Sequence, residues 1–233
     1  LLTYTLSATS SATLGVSGDL SRDAGEDVGD YAIRLGTLSN TNYILNLAAE
    51  DFKIIPLAVD VIPNVLSKIY GETDPLLTYT LSATSSATLS VLGALSRASG
   101  ENVGDYAIRL GTLSNTNYIL NLAAEDFEII PLVVDVNPNV LSKTYGEADP
   151  LLTYTLSATS SATLSVVGAL SRVSGENMGD YAIGLGTLSN TNYTLILAPE
   201  NFQINPLAVT VTPDALSKTY GEADPLLTYT LST

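Results

Sequence analysis

The 233-residue chain has no histidine, cysteine or tryptophan, and a single methionine. Without imidazole it lacks the side chain that ordinarily titrates near neutral pH, and without thiol it lacks the strongest natural nucleophile. Disulfides are excluded, so folding does not depend on oxidation and cysteine usage does not mark the redox compartment. Positive charge is scarce too: nine Lys and Arg stand against 24 Asp and Glu, a net charge of −15. That surface repels nucleic-acid phosphates and anionic lipid headgroups, so neither nucleic acid nor membrane is an expected partner. No apolar run has the length to cross a bilayer as a helix, and no signal peptide is visible. The chain begins at Leu1 inside a repeat. It therefore reads as an internal fragment whose secretion signal and anchor lie elsewhere.

What is present favours sheet. Hydrophobic residues make up 45% of the chain, enough for real cores, and Tyr is the dominant aromatic with 13 copies against three Phe. β-branched and aromatic side chains suit a pleated, half-buried surface.

Self-similarity dominates the rest. The stretch LLTYTLSATSSATL starts at Leu1, Leu76 and Leu151, and LLTYTLS returns at Leu226. The period is 75 residues without insertion, and the second and third copies differ at only 15 of those positions. Near-identical copies of that length are structural modules, each within the size of a small domain. Pro56, Pro131 and Pro206 each close an apolar stretch and precede a new one, and proline marks strand ends. The expected division is two complete modules, 57–131 and 132–206, between partial modules 1–56 and 207–233, with almost no linker.

Within module 57–131, Leu77, Tyr79 and Leu81 alternate with Thr78 and Thr80, and Tyr106, Ile108 and Leu110 alternate with Ala107 and Arg109. Tyr118, Leu120 and Leu122 repeat the pattern, and residues 89–97 read as a further strand broken at Gly93. Turn chemistry separates these runs, and at most one helical turn fits around residues 85–88. The expected fold is all-β: about six short strands per module in a small antiparallel sandwich or β-grasp-like sheet, the modules set end to end as an elongated rod.

Candidate chemistry is thin. A serine nucleophile needs a base, and no histidine exists to supply one. Ser142 and Lys143 are adjacent, so on a strand they face opposite ways. Lys143 is expected on a solvated sheet edge, where lysine deters aggregation. The Gly-Glu-Asn-Val-Gly-Asp-Tyr stretch lacks the lysine and helix of a phosphate loop, and reads as a turn in which Gly100 and Gly104 supply positive φ. Tyr79, Tyr106, Tyr118 and Tyr145 are expected at the core or its edge. The Ser/Thr-rich stretch 82–90 could accept O-linked sugar, or form a polar hairpin. Hard oxygen ligands suit calcium, and the acidic turns offer Glu147 with Asp149 and Glu101 with Asp105 as candidate ligands, though no EF-hand loop is present.

The ordered set Lys143-Thr144-Tyr145-Gly146-Glu147-Ala148-Asp149-Pro150, Leu152-Thr153-Tyr154-Thr155 and Gly168-Ala169-Leu170-Ser171-Arg172 continues through Gly175-Glu176-Asn177-Met178-Gly179-Asp180-Tyr181-Ala182-Ile183 to Asn192-Tyr193. It resembles the MBG repeat, in its YGX-type form, found in many copies in large bacterial adhesins. The resemblance covers essentially the whole chain. It implies a mostly β, grasp-like module acting as a stalk or spacer at the cell surface, and it carries over no catalytic residue. Where the family often has an Asn-Gly-Asp type turn after the Leu-Thr-Tyr-Thr strand, this chain has Ala158-Thr159-Ser160-Ser161-Ala162.

The expectation is thus a non-enzymatic, extracellular spacer without a cofactor. Its partners would be neighbouring repeats and, in a filament, identical chains. The alternative is a multivalent glycan- or protein-binding repeat that calcium would stiffen.

Overall fold

The computed structural model describes residues 2–9, 13–86, 88–159 and 163–233. The expected single turn at 85–88 includes Ala87, as does the Ser/Thr-rich stretch 82–90, and the departure at 158–162 includes Ser160, Ser161 and Ala162; those four residues lie outside the described ones.

The first copy contributes β1 (Ser21–Arg22), β2 (Gly29–Arg34) and β3 (Asp51–Ile54). The second runs through β4 (Leu57–Pro63), β5 (Ser67–Ile69), β6 (Tyr79–Ser82), β7 (Ser96–Arg97), β8 (Gly104–Arg109), β9 (Tyr118–Leu122) and β10 (Asp126–Ile130). The third repeats that order as β11 (Leu132–Pro138), β12 (Ser142–Thr144), β13 (Tyr154–Ser157) and β14 (Ser171–Arg172). It ends with β15 (Gly179–Gly184), β16 (Tyr193–Leu197) and β17 (Asn201–Asn205), and β18 (Thr210–Pro213) and β19 (Tyr229–Ser232) follow. No helix occurs among the described residues.

Contacts divide the chain into two compact units. One holds Leu1–Leu66, Pro75–Gly100 and Asp105–Phe127; the other holds Ser67–Asp74, Glu101–Gly104 and Glu128–Thr233. In the first unit β2 lies between β1 and β3, antiparallel to both. A second sheet there has β4 at its centre, antiparallel to β6 and parallel to β9.

The other unit contains a complete copy in two sheets. In the order β13-β11-β16, β11 is antiparallel to β13 and parallel to β16. In the order β12-β17-β15-β14, β12 is parallel to β17, and the remaining pairs are antiparallel. One core joins them: Val136 of β11 with Ile183 of β15, Phe202 and Ile204 of β17, and Leu170 and Leu188 from the loops. Leu156 of β13 and Leu195 of β16 pack on that cluster. The strict alternation of β11 decides its placement. Leu132, Val134 and Val136 are fully enclosed while Val133 and Asp135 between them face out, as period-2 geometry requires of a strand at the centre of a one-sided sheet.

Two expectations need correction. The sandwich is mixed rather than antiparallel, because β11 and β16, and likewise β12 and β17, are far enough apart in sequence for a parallel crossover. Alternation shows which face a side chain takes and not which strand it pairs with. The strand read at residues 89–97 shrinks to β7 plus an isolated bridge between Leu92 and Ser114. Gly93, at φ +97°, stops it.

Candidate functional site: the loop clasp and the repeat junction

The most elaborate side-chain arrangement lies around Arg172, in β14. Its guanidinium sits between two aromatic rings, 5.1 Å from the Tyr181 centroid and 5.2 Å from that of Phe202. Nε and Nη2 grip Asp149 at 2.6 and 3.0 Å, and Nη2 also reaches Glu176 at 2.7 Å. Nη1 donates to the carbonyls of Val173 and Gly175 at 3.0 and 2.7 Å. Every donor of the fork is used. The arrangement recurs: Arg22 lies between Tyr31 and Phe52, and Arg97 between Tyr106 and Phe127.

This clasp shapes the loop 173–178. The Tyr181 hydroxyl donates to the Asn177 carbonyl at 2.8 Å, which ties the ring to the loop. Gly175, at φ +153°, makes room for it; a Cβ there would fall 2.2 Å from the ring. Gly100 and Gly104 hold positive φ as the turn chemistry requires.

Lys143 completes the cluster. Its ammonium donates to Glu176 and stands 2.6 Å from Asp149, with the side chain only 3% exposed. Lys68 is held in the same way by Asp74 and Glu101. The expected solvated edge lysine is therefore corrected. β12 is indeed an edge strand, but its middle residue points inward, where two carboxylates meet the charge.

The loop so formed is gripped by the next copy. In the turn Asn190-Thr191-Asn192, the Asn192 amide donates to Asn190 Oδ1 at 2.8 Å, while the Asn192 carbonyl accepts from Leu132, the first residue of β11, at 3.0 Å. The Asn192 side chain reaches back about one repeat. Its Oδ1 accepts from the Val103 amide at 2.8 Å, and its Nδ2 donates to Asn102 Oδ1 at 3.0 Å. Asn117 does the same to Val28 and Asp27, at 2.7 and 2.8 Å. Beside Asn192, the Tyr193 ring meets Tyr70 edge-on at 5.8 Å. Burial follows occupancy: Asn192 is enclosed, whereas its counterpart Asn42 is exposed.

A fixed architecture of Lys-x-Tyr-Gly turn, arginine clasp and asparagine turn is thus laid down once per period. The family model described as MBG domain (YGX type) matches residues 2–53, 59–128 and 134–203, most of the chain. The chain belongs to the MBG family. No curated protein and no solved structure matches it.

The acids read as calcium candidates have separate duties in the MBG repeats. Asp149 is shared by Lys143 and Arg172, and Glu101 is held by Lys68. Glu147 closes its own turn by accepting from the Thr144 amide at 2.8 Å. Asp105 lies exposed on β8. Among the described residues, no three acids are grouped as a metal would need. Of the tyrosines placed at the core edge, Tyr79, Tyr106 and Tyr118 are half-buried, while Tyr145 is 49% exposed. Sequence reasoning missed both the clasp and the junction. The available signal was that Lys143, Asp149, Arg172, Glu176 and Asn192 each have an identical counterpart 75 residues earlier.

The cluster fixes a pH dependence. Arg172, and then Lys143, hold the Asp149 carboxyl at about 2. Lys143 and then Arg172 lower Glu176, and the two carboxylates raise Lys143. Burial pushes Lys68 down, but Asp74 and Glu101 together outweigh it and the net shift is upward. A carboxylate lowered by folding leaves the unfolded chain to take up protons first. Its contribution is therefore full above about pH 4 and lost as pH falls towards 2. A raised lysine contributes fully below about pH 10 and loses that contribution as pH rises through its folded value. The urea midpoint should therefore be level between these limits and fall on both sides, and Asp149→Asn should flatten the acid side.

The junction gives a local test. Asn192→Ala leaves the Val103 amide without its acceptor, a loss of about 1–3 kcal/mol in local opening. Hydrogen exchange at Val103 should accelerate by about fivefold or more, with the amides of β15 unaffected.

Proposed function

We propose that the chain is a segment of a stalk or spacer in a secreted, cell-surface adhesin or extracellular filament, and that it holds distance and does not catalyse. The supporting observation is how each copy is closed. β11, where the third copy begins, is parallel to β16, and β12 is parallel to β17, where that copy ends. A pull on the two ends of the copy draws these partners in opposite directions along their lengths. Inter-strand hydrogen bonds run across the strands, so that load shears many at once and does not peel them singly. The asparagine junction, with its backbone and side-chain bonds, ties one repeat to the next. Acidity supports the same reading by keeping a repetitive chain soluble.

The experiment is single-molecule pulling. Loaded through its ends, the chain should unfold at several times the force needed when it is held at cysteines placed at Asp135 and Ser157, which face each other across the antiparallel pair β11–β13. The chain has no cysteine of its own to confuse the attachment. Equal, low forces in both directions would reject the reading. Saturable binding of a polysaccharide to a two-repeat segment would favour a multivalent binding repeat instead.

A further inference from the structure

The two segments that begin and end a complete copy lie side by side at one unbroken offset. In the third copy Leu132 stands opposite Tyr193 and Val136 opposite Leu197, where β11 meets β16. In the other sheet Ser142 stands opposite Gln203 and Thr144 opposite Asn205, where β12 meets β17. The separation is 61 residues in both ladders, from 132 to 193 and from 142 to 203. Both segments therefore leave one sheet and enter the next without slipping against each other. Residues 132–144 and 193–205 form a single parallel ribbon. Its bonds run from the Leu132 amide, which donates to the Asn192 carbonyl, to the Tyr145 amide, which donates to that of Asn205 at 2.8 Å. The second copy keeps the offset, with Leu57 opposite Tyr118 and Ser67 opposite Glu128.

The ribbon has a weak half. β11 is held on both sides, by β16 and by β13, whereas β12 is an edge strand held by β17 alone. Its ladder is shorter too, three residue pairs against five. The clasp lies over this half. β12 and β14 are the two edges of the sheet, and the charged groups cross it from one edge to the other. Lys143, in the middle of β12, holds Asp149 and Glu176, and both carboxylates are gripped by Arg172 of β14. Between the edges the guanidinium is packed on Phe202 of β17 and Tyr181 of β15. All four strands are strapped together by one cluster.

We infer that the clasp is a mechanical lock: given the load-bearing reading proposed above, Lys143, Asp149, Arg172 and Glu176 set the force at which a copy gives way. Tension on a copy enters at Leu132 and leaves at Asn205, the two ends of the ribbon, and slides its strands past each other. The other covalent route, through residues 146–192, stays slack meanwhile. Its 47 residues can reach about 160 Å, whereas the 13 of a ribbon strand span at most about 45 Å. Slip by a single residue displaces β12 by about 3.3 Å relative to β17. Lys143 Nζ stands 2.6 Å from Asp149, so that step carries the ammonium out of ion-pair reach of groups that travel with the other strand. The clasp must therefore break as slip begins, together with the ladder. Core packing between the sheets is lost later, after the ribbon has parted.

The test is pulling at constant force on the full chain, held at Pro131→Cys and Pro206→Cys, two exposed positions that flank the ribbon of the third copy. Arg172→Leu should make the copy unfold about fivefold faster or more at that force. Glu176→Gln, a milder change at an exposed carboxylate, should move the rate in the same direction and covers the case in which Arg172→Leu does not fold. Leu188→Ala is the contrast. It removes a buried core side chain outside the ribbon and the clasp, at a cost in urea stability at least as large. Its rate under load should stay within about twofold of the parent, because its packing is still made when slip begins. A parent copy that yields at low force would reject the spacer reading and the lock with it. A strong copy whose rate ignores Arg172 and Glu176, or follows urea stability alone across the three variants, would overturn the lock and leave the spacer reading standing.

Discussion

Phe202→Ala should destabilise the copy that contains it by about 3–5 kcal/mol, the range for deleting a buried phenyl ring and leaving a cavity behind. The ring is 0% exposed and fills the space between the sheets. It is also one of the two faces that hold Arg172, so its removal frees the guanidinium on that side. The chain carries its own control. Phe52 occupies the same place in the first copy and is 37% exposed. Phe52→Ala should therefore cost much less. Urea unfolding followed by circular dichroism measures both; equal losses at the two positions would contradict the two-sheet core.

The second large effect is expected at Arg172. Arg172→Leu leaves Asp149 and Glu176 facing Lys143 alone and strips the carbonyls of Val173 and Gly175 of their donor. Breaking a buried ion pair costs about 3–5 kcal/mol, and because Asp149 and Glu176 are 40% and 66% exposed, water screens part of that. The loss expected is therefore smaller than for a fully buried pair, about 1–3 kcal/mol, the range for hydrogen bonds to a charged group and for stranded carbonyls, with the loop 173–178 loosened. Arg172→Lys should recover little, since an ammonium cannot grip a carboxylate and two carbonyls from between two rings. Full rescue by lysine would show that only charge matters there. The surface pair Arg34–Asp23 is the contrast. At 61% and 46% side-chain exposure it contributes little, and in the third copy both positions have changed, to Gly184 and Val173.

Much of this was legible in the sequence, and the failures share a cause. The period of 75 and the alternation in Tyr106–Leu110 or Tyr118–Leu122 are local signals, and the strands β8 and β9 follow from them. A strand's partner is not a local property. Nothing in Leu132–Pro138 says that it runs parallel to Tyr193–Leu197. Lys143 misled for a related reason. Lysine on an edge strand is ordinarily solvated, and only the fold brings Asp149 and Glu176 to it from 6 and 33 positions away. The internal copies held the correction. Lys68, Lys143 and Lys218 persist through all the copies that reach them, while Arg34 and Arg109 give way to Gly184. Persistence separated the structural cations from the decorative ones. Asn192 looked like a turn residue and is one; its second duty, gripping Val103 more than a full repeat earlier, is visible only once the loops are in place.

The spacer proposal is tested most directly by small-angle scattering on chains of two and four repeats. Repeats held in line nearly double the radius of gyration when their number doubles, whereas one merged globule would enlarge it only about 1.3-fold. The account expects the first result. A ratio near the second would show that the repeats collapse into a single body, and the account of self-contained β units in series would be wrong.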